Sequence, residues 1–283
     1  CQPRKARIPN PEVTMDIIQA IILGIVQGVT EFIPVSSSGH LVLVPWLLGW
    51  DPPELVFDTV VHWGTLLAVL AYFWRDWLTL IAAWLRGLVR WEWRDPNARL
   101  MWLIILGSVP AVVFGFLFED FFESLFGKPV WVSVFLLVTA GLLALSERMG
   151  KGMRELDDLR GVDALVIGLG QATAIAPGIS RSGATIAMGL FRGLQLPAAA
   201  RFSFLLATPI IFGAGLFKLQ DLFSAPDPIS QVPALVAGFV AAAISGYLCI
   251  WGLLRYLKYG KLYPFAVYCA CFGVFCLAVA FFR

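Results

Sequence analysis

The sequence predicts an all-α polytopic membrane protein with six transmembrane helices plus two re-entrant helical hairpins in an inverted-topology repeat. Three observations carry that expectation. The 283 residues are 59% hydrophobic and only 14% charged, with a mean hydropathy of +0.80, against roughly 25% charged residues in a soluble domain. Six apolar runs, at about 55–74, 100–118, 129–146, 198–217, 233–254 and 262–282, are long enough to cross a hydrocarbon layer of roughly 30 Å. Two further apolar stretches, 16–50 and 164–196, are each broken midway by a polar turn, "PVSSSGH" and "PGISRSG". Strands of a membrane barrel would instead alternate over about ten residues.

Each broken stretch leaves two half-length segments, as in a helical hairpin that enters the membrane, turns at mid-depth and leaves by the same face. Such a turn is tolerated only where protein surrounds it. The distribution of cations gives the sense of insertion. Arg75, Arg86, Arg90, Arg94 and Arg99 lie in the loop 75–99, Arg148, Lys151, Arg154 and Arg160 in 147–163, and Arg255, Lys258 and Lys261 in 255–261. These loops are expected to be cytoplasmic, and the cation-poor loops at "EDFFES" (119–124) and "KLQDLFSAPDP" (218–228) external. The first hairpin then enters from outside and the second from the cytoplasm.

An internal repeat agrees. "GIVQGVTEFIPVSSSG" (24–39) and "GLGQATAIAPGISRSG" (168–183) both place Gln three residues after the first Gly and both end in Ser-Gly, 144 residues apart. The chain divides into a polar N-terminal extension, 1–14, and a single membrane domain, 15–283, with repeat 1 at about 16–146 and repeat 2 at about 164–283. Each repeat holds one hairpin and three spans, and an odd number of spans inverts the second relative to the first. That plan puts a working site near the midplane, where the broken helices meet.

The polar residues there have a common chemistry. Ser36, Ser37, Ser38 and Gly39 precede one helical run, and Ser180, Arg181, Ser182 and Gly183 precede another that carries Thr185. Helix starts offer unpaired N–H groups and the positive end of the dipole, so two converging starts make an anion pocket. Arg181 adds a charged fork suited to phosphate oxygens. At mid-depth such a residue costs about 2.5–3.5 kcal/mol on insertion scales. Helix capping alone is the simpler reading of the serines. Glu31, an equally expensive carboxylate, lies one turn after Gln27, and the two share a face that could hold a divalent cation. Pairing with Arg181 is the structural alternative for Glu31. His40 could act as general base, general acid or nucleophile. Asp58 and His62, also one turn apart, are expected to have a packing or supporting role.

Together these groups suit cleavage of a phosphoanhydride on a lipid-borne substrate, with Ser37 or an activated water attacking, His40 moving the proton, and Arg181 and the helix ends stabilising charge. A net charge of +2 with no basic patch gives no expectation of nucleic-acid binding. The five cysteines show no metal-ligand spacing and are expected to pack. The paired histidine motifs of soluble-type acid phosphatases are absent.

At "GVTEFIPVSSSGHL" and "PGISRSGATI" the chain resembles the undecaprenyl-diphosphate phosphatases, or bacitracin-resistance proteins, and "FDTVVHWGTLLAV" and "FSFLLATP" fall where that family has similar segments. The likeness covers about residues 16–282. It implies removal of the terminal phosphate of undecaprenyl diphosphate, a polyprenyl diphosphate lipid. The product is the carrier lipid of peptidoglycan synthesis, and the activity confers bacitracin resistance. It also implies a site on Glu31, Ser37, His40 and Arg181, dependence on Mg2+ or Ca2+, and a bacterial inner-membrane location with the site open to the periplasm. Contact with membrane lipids and a tendency to form homodimers are implied as well. Gln27 stands where many members have Glu, and His62 where Gln is common. The competing expectation is a polyprenyl-phosphate flippase or anion transporter using the same inverted-repeat site.

Overall fold

The computed structural model describes residues 15–90, 95–150, 152–218 and 228–283. The expected extension 1–14, Arg94, Lys151 and most of the 218–228 loop lie outside the described residues. The described residues form twelve α-helices and no strand. In chain order they are α1 (Ile17–Phe32), α2 (Ser37–Leu48), α3 (Leu55–Tyr72), α4 (Trp74–Arg90), α5 (Pro96–Leu117) and α6 (Glu119–Phe126), then α7 (Pro129–Met149), α8 (Gly161–Thr173), α9 (Arg181–Phe191), α10 (Leu196–Phe217), α11 (Pro228–Tyr256) and α12 (Tyr263–Phe282). Six are long and apolar enough to span a membrane: α3, α5, α7, α10, α11 and α12.

The two broken stretches are helical hairpins. α1 and α2 have 16 and 12 residues and α8 and α9 have 13 and 11, short of the roughly 20 needed for a span. The turns fall at 33–36 and 174–180. Two stretches expected to be loops are helical instead. α4 replaces most of the 75–99 loop, because Trp77, Leu80, Ala83 and Gly87 recur at helical spacing and bury one stripe, with α4 packed on α5. "EDFFES" opens the short helix α6.

The repeats exchange partners. The first arm of each hairpin packs on the middle span of the opposite repeat, α1 on α11 and α8 on α5. The first spans α3 and α10 pack together, and so do the last spans α7 and α12. Glycines permit the closest approaches. A Cβ on Gly24 would lie 2.4 Å from Gly238 O, and one on its repeat equivalent Gly168 would lie 2.2 Å from Gly107 O. Backbone cannot yield as a flexible side chain can, so these positions admit only glycine. Small residues at such crossings bring helices into van der Waals contact, the main attraction between helices in lipid.

Asp163, in the first turn of α8 and outside the six spans, ties down the loop end of the second hairpin. It accepts from Arg154 at 2.6 Å, Arg192 at 2.7 Å and the Arg160 N–H at 2.9 Å. Burial alone would raise its carboxyl, but the hydrogen bonds from Arg154, Arg192 and Arg160 outweigh burial and bring it down to about 2.

Two expected outcomes follow from this packing. Gly168→Ala lowers thermal stability in detergent by about 1–3 kcal/mol through overpacking, whereas Gly141→Ala, with nothing within 4 Å of the new methyl, does not. Equal melting curves for the two variants would contradict the account. Asp163→Asn costs about 1–3 kcal/mol near pH 7 by leaving charged donors short of a partner. Because the folded carboxyl titrates at about 2, below its ordinary 3.8, its stabilisation is complete above about pH 4 and is lost as pH falls towards 2. Wild type and variant therefore converge only in that acid window, as denaturation at stepped pH would reveal.

Candidate active site

The hairpin tips meet. A Cβ on Gly39 would lie 3.2 Å from Gly178 Cα, and one on Gly183 would lie 3.4 Å from Pro34 Cβ. Each turn therefore presses its helix start against the other turn. The caps match as well. Ser36 Oγ accepts from the Gly39 N–H at 3.2 Å, and Ser180 Oγ accepts from the Gly183 N–H at 3.0 Å. Each Oγ also meets the hydroxyl two residues on, Ser38 at 3.4 Å and Ser182 at 3.2 Å. A last span holds each turn from outside: Thr139 Oγ1 on α7 donates to Gly178 O and accepts from the Ser180 N–H, both at 3.0 Å, and Cys269 Sγ on α12 lies 3.8 Å from Pro34 O.

Within the four-residue segments Ser36–Gly39 and Ser180–Gly183 the repeats differ at one position. Ser37 in the first and Arg181 in the second occupy equivalent places, and both reach Glu31. Arg181 Nη2 donates to Glu31 Oε1 at 2.6 Å, across 150 residues of sequence. Ser37 Oγ donates to Glu31 Oε2 in a very short contact, and Gln27 Nε2 donates to the same oxygen at 3.0 Å. Arg181 is thus paired with Glu31 through Nη2, while its Nη1 is buried without a hydrogen-bond partner. A buried donor left unmade costs about 1–3 kcal/mol or more for a charged group, and such a cost persists where a ligand supplies the acceptor.

The remaining sequence candidates divide. Ser36, Ser38, Ser180, Ser182 and Gly183 line the two helix starts, but the serine hydroxyls are engaged in capping and in each other, the Gly183 N–H is taken by Ser180, and Ser182 also reaches Ile33 O at 3.3 Å. Thr185 Oγ1 is one turn deeper, bonded to Arg181 O at 2.8 Å and to Ser203 Oγ at 2.6 Å. His40 is held away from the carboxylate. Its Nδ1 meets Ser36 O and its Nε2 meets Tyr268 OH, both at 2.7 Å, and its ring stacks on Phe272 at 5.0 Å.

His62, expected to pack or to support the site, lies beside the carboxylate. Its Nε2 lies 3.8 Å from Glu31 Oε2, while Nδ1 meets Asp58 O at 2.7 Å and lies 3.9 Å from Asp58 Oδ2. About a quarter of each side chain is exposed, 27% for His62 and 26% for Asp58 against 5% for Glu31. The two are more exposed than the carboxylate they neighbour. The signal available in the sequence was their helical spacing on the first span, together with the replacement of a common Gln by an ionisable group.

The donor set bears on a cation. Among the described residues no group of three or more His, Cys, Asp or Glu is placed to hold a metal. Yet Gln27 Oε1 is a buried acceptor without a partner, one turn from the Glu31 carboxylate and the Ser37 hydroxyl. Three hard oxygens suit Mg2+ or Ca2+. With one carboxylate among them, they do not make a self-sufficient metal centre.

Fold and site together define a polytopic membrane protein with a polar centre where the tips of two helical hairpins touch. The chain belongs to the bacitracin resistance protein BacA family, whose profile matches residues 20–275. It is 45% identical over 269 residues to the undecaprenyl-diphosphatase of Desulforudis audaxviator, covering 95% of this chain and 100% of that one. It is also 43% identical to the undecaprenyl-diphosphatase of Moorella thermoacetica, covering 95% and 100% of the two chains. The enzyme of the same name from Methanosphaera stadtmanae is 44% identical, over 92% of this chain and 96% of its own.

Thr139 supplies a test of how the second turn is held. Thr139→Val leaves the Ser180 N–H and Gly178 O unpaired and lowers stability by about 1–3 kcal/mol. Thr79→Val, which loses an exposed bond to Arg75 O within its own helix, changes little. Comparable melting of the two variants would contradict the cross-bracing.

Proposed function

We propose that this protein is an undecaprenyl-diphosphatase, hydrolysing undecaprenyl diphosphate to undecaprenyl phosphate and inorganic phosphate. Recycling of the lipid carrier for peptidoglycan synthesis, and resistance to bacitracin, follow from that activity. The observation that carries the reading is the divided guanidinium of Arg181. One nitrogen holds Glu31 at 2.6 Å, and the other is buried without a partner beside two helix starts. A terminal phosphate supplies the missing acceptor.

The remaining geometry gives a route. Ser37 Oγ, already donating to Glu31, attacks the terminal phosphorus as its proton passes to the carboxylate. The bond from phosphorus to the bridging oxygen breaks, and undecaprenyl phosphate leaves. Water then attacks the phosphoserine, restoring Ser37 and releasing phosphate. Arg181 and the N–H groups of α2 and α9 stabilise charge on the phosphoryl oxygens throughout. Gln27 and Glu31 would hold Mg2+ or Ca2+ against the diphosphate, where the ion neutralises charge and polarises phosphorus.

The partly exposed Asp58 and His62 sit towards the Leu55 end of α3, the end that cation asymmetry puts outside. That arrangement supports a site reached from the periplasmic side of the bacterial inner membrane, with the prenyl tail among membrane lipids. Homodimerisation follows from the family likeness alone. A transporter or flippase with the same inverted repeat has no use for a serine hydroxyl placed on a carboxylate.

The test is phosphate release from polyprenyl diphosphate in detergent. Arg181→Ala and Ser37→Ala are expected to reduce turnover about 100–1,000-fold, with monodisperse, folded protein in each case. Arg181→Lys is expected to recover little, since an ammonium lacks the planar fork. Chelator is expected to suppress release and added Mg2+ or Ca2+ to restore it. Wild-type turnover in both alanine variants would overturn the assignment, and transport into proteoliposomes without hydrolysis would favour the transporter.

A further inference from the structure

Ser36 is the only described residue other than glycine with a positive φ, 72° with ψ 98°. Such a conformation costs on the order of 1–3 kcal/mol and persists only where the surroundings impose it. The second repeat offers an internal control. Ser180, the equivalent residue, sits at an unstrained φ of −73°. The residue four further on is Ala184 in that repeat, which bonds Ser180 O through its backbone N–H alone, at 2.8 Å. In the first repeat the corresponding residue is His40. It bonds Ser36 O twice, through its backbone N–H at 3.2 Å and through its ring Nδ1 at 2.7 Å. The imidazole is thus present where the turn is strained and absent where the turn is relaxed.

The ring's own partners fix its state. A carbonyl oxygen only accepts, so Nδ1 carries a hydrogen. His40 is buried, 3% exposed, and has no carboxylate in salt-bridge range among the described residues. An imidazolium there would be an uncompensated buried charge. The ring is therefore neutral, Nε2 is the acceptor, and Tyr268 OH donates to it at 2.7 Å. Tyr268 and Phe272 of α12 also stack on the ring, nearly parallel to it at 8° and 17°. With both nitrogens occupied, His40 has no free site for a proton from Ser37.

We infer that His40 is a positioning residue, oriented by Tyr268, whose ring clamps the strained carbonyl of Ser36 and so keeps Ser37 on Glu31. The inference rests on the diphosphatase reading of the same site, and it assigns Tyr268 of the second repeat a part in a turn of the first. Loss of the clamp lets Ser37 move off Glu31 while Arg181 and the helix starts continue to hold phosphate. The damage therefore falls on kcat and leaves KM nearly unchanged.

The experiment combines kinetics with a direct look at the ring. The chain has two histidines, so histidine labelled with nitrogen-15 gives a spectrum assignable with one variant. Wild type is expected to show His40 as the neutral tautomer protonated at Nδ1, and Tyr268→Phe to keep that tautomer while the Nε2 signal shifts on losing its donor. His40→Ala is expected to lower kcat about 100-fold, the scale of a small misplacement of a reacting group. His40→Asn, whose amide can still donate to Ser36 O, is expected to recover most of that loss. Tyr268→Phe is expected to lower kcat about fivefold, as for one lost hydrogen bond. An Nε2-protonated or doubly protonated ring in wild type would sink the proposal, even if the variants failed to fold. So would a His40→Asn protein as inactive as His40→Ala with both monodisperse, or wild-type kcat in Tyr268→Phe. A wild-type protein releasing no phosphate would refute the diphosphatase reading, and the tautomer would still decide the clamp.

Discussion

The ion pair between Arg181 and Glu31 is the constraint on which the rest of the structure depends. Each group alone would be prohibitive in a hydrocarbon interior, and removing one partner from such a pair typically costs about 3–5 kcal/mol. The pair joins two hairpins that are 150 residues apart in the chain. It therefore fixes how deeply each hairpin inserts, because a slip of either by one residue separates nitrogen from oxygen. Backbone complementarity supports the same register: the Gly39 and Gly183 helix starts each abut the opposite turn. The pair is also incomplete as a structural device. Its unpartnered Nη1, and the Gln27 carbonyl oxygen one turn from Glu31, hold back hydrogen-bonding capacity that a purely structural salt bridge would have consumed.

The repeat explains how such a centre arises from ordinary parts. Both turns keep the same scaffold, in which a serine caps the glycine three residues on and a last span of a repeat meets the turn carbonyl. Function comes from where the copies differ. Ser37 and Arg181 occupy one position of the motif, so the inverted arrangement brings a hydroxyl and a guanidinium to the same carboxylate from opposite sides. His40 and Ala184 occupy another, and only the strained copy carries the imidazole. Symmetry supplies the two converging helix starts, and departures from symmetry supply the chemistry.

Much of this was legible in the sequence because membranes restrict the options. Spans follow from length and hydropathy, and both hairpins from apolar runs too short on either side of a polar turn. Charge at mid-depth is rare enough that Glu31 and Arg181 had to be explained together. Less legible was whatever depended on side-chain direction. His40 looked available for proton transfer because its type and place suited the task, yet its ring turns towards Ser36 and Tyr268, a contact spanning 228 residues. Whether His62 packs or supports the site depended on contacts between helices, and only the fold brings it within 3.8 Å of Glu31. α4 read as a loop because its arginines drew attention away from the apolar stripe Trp77, Leu80, Ala83 and Gly87.

The location of the site at the meeting of two broken helices is itself a consequence of the solvent. Unpaired N–H groups cannot face lipid, so a continuous span has no backbone donors to offer a phosphate. A broken helix has them, but needs protein on every side. Two oppositely inserted hairpins satisfy both demands, each providing the wall the other requires. Water is scarce at that depth, so the attraction between Arg181, the helix starts and a phosphoryl group is screened far less than at a surface. The same scarcity leaves the Ser37 proton few destinations, and the carboxylate already bonded to that hydroxyl is the nearest. An arrangement that answers the demands of backbone hydrogen bonding in lipid would thereby also serve the proposed chemistry.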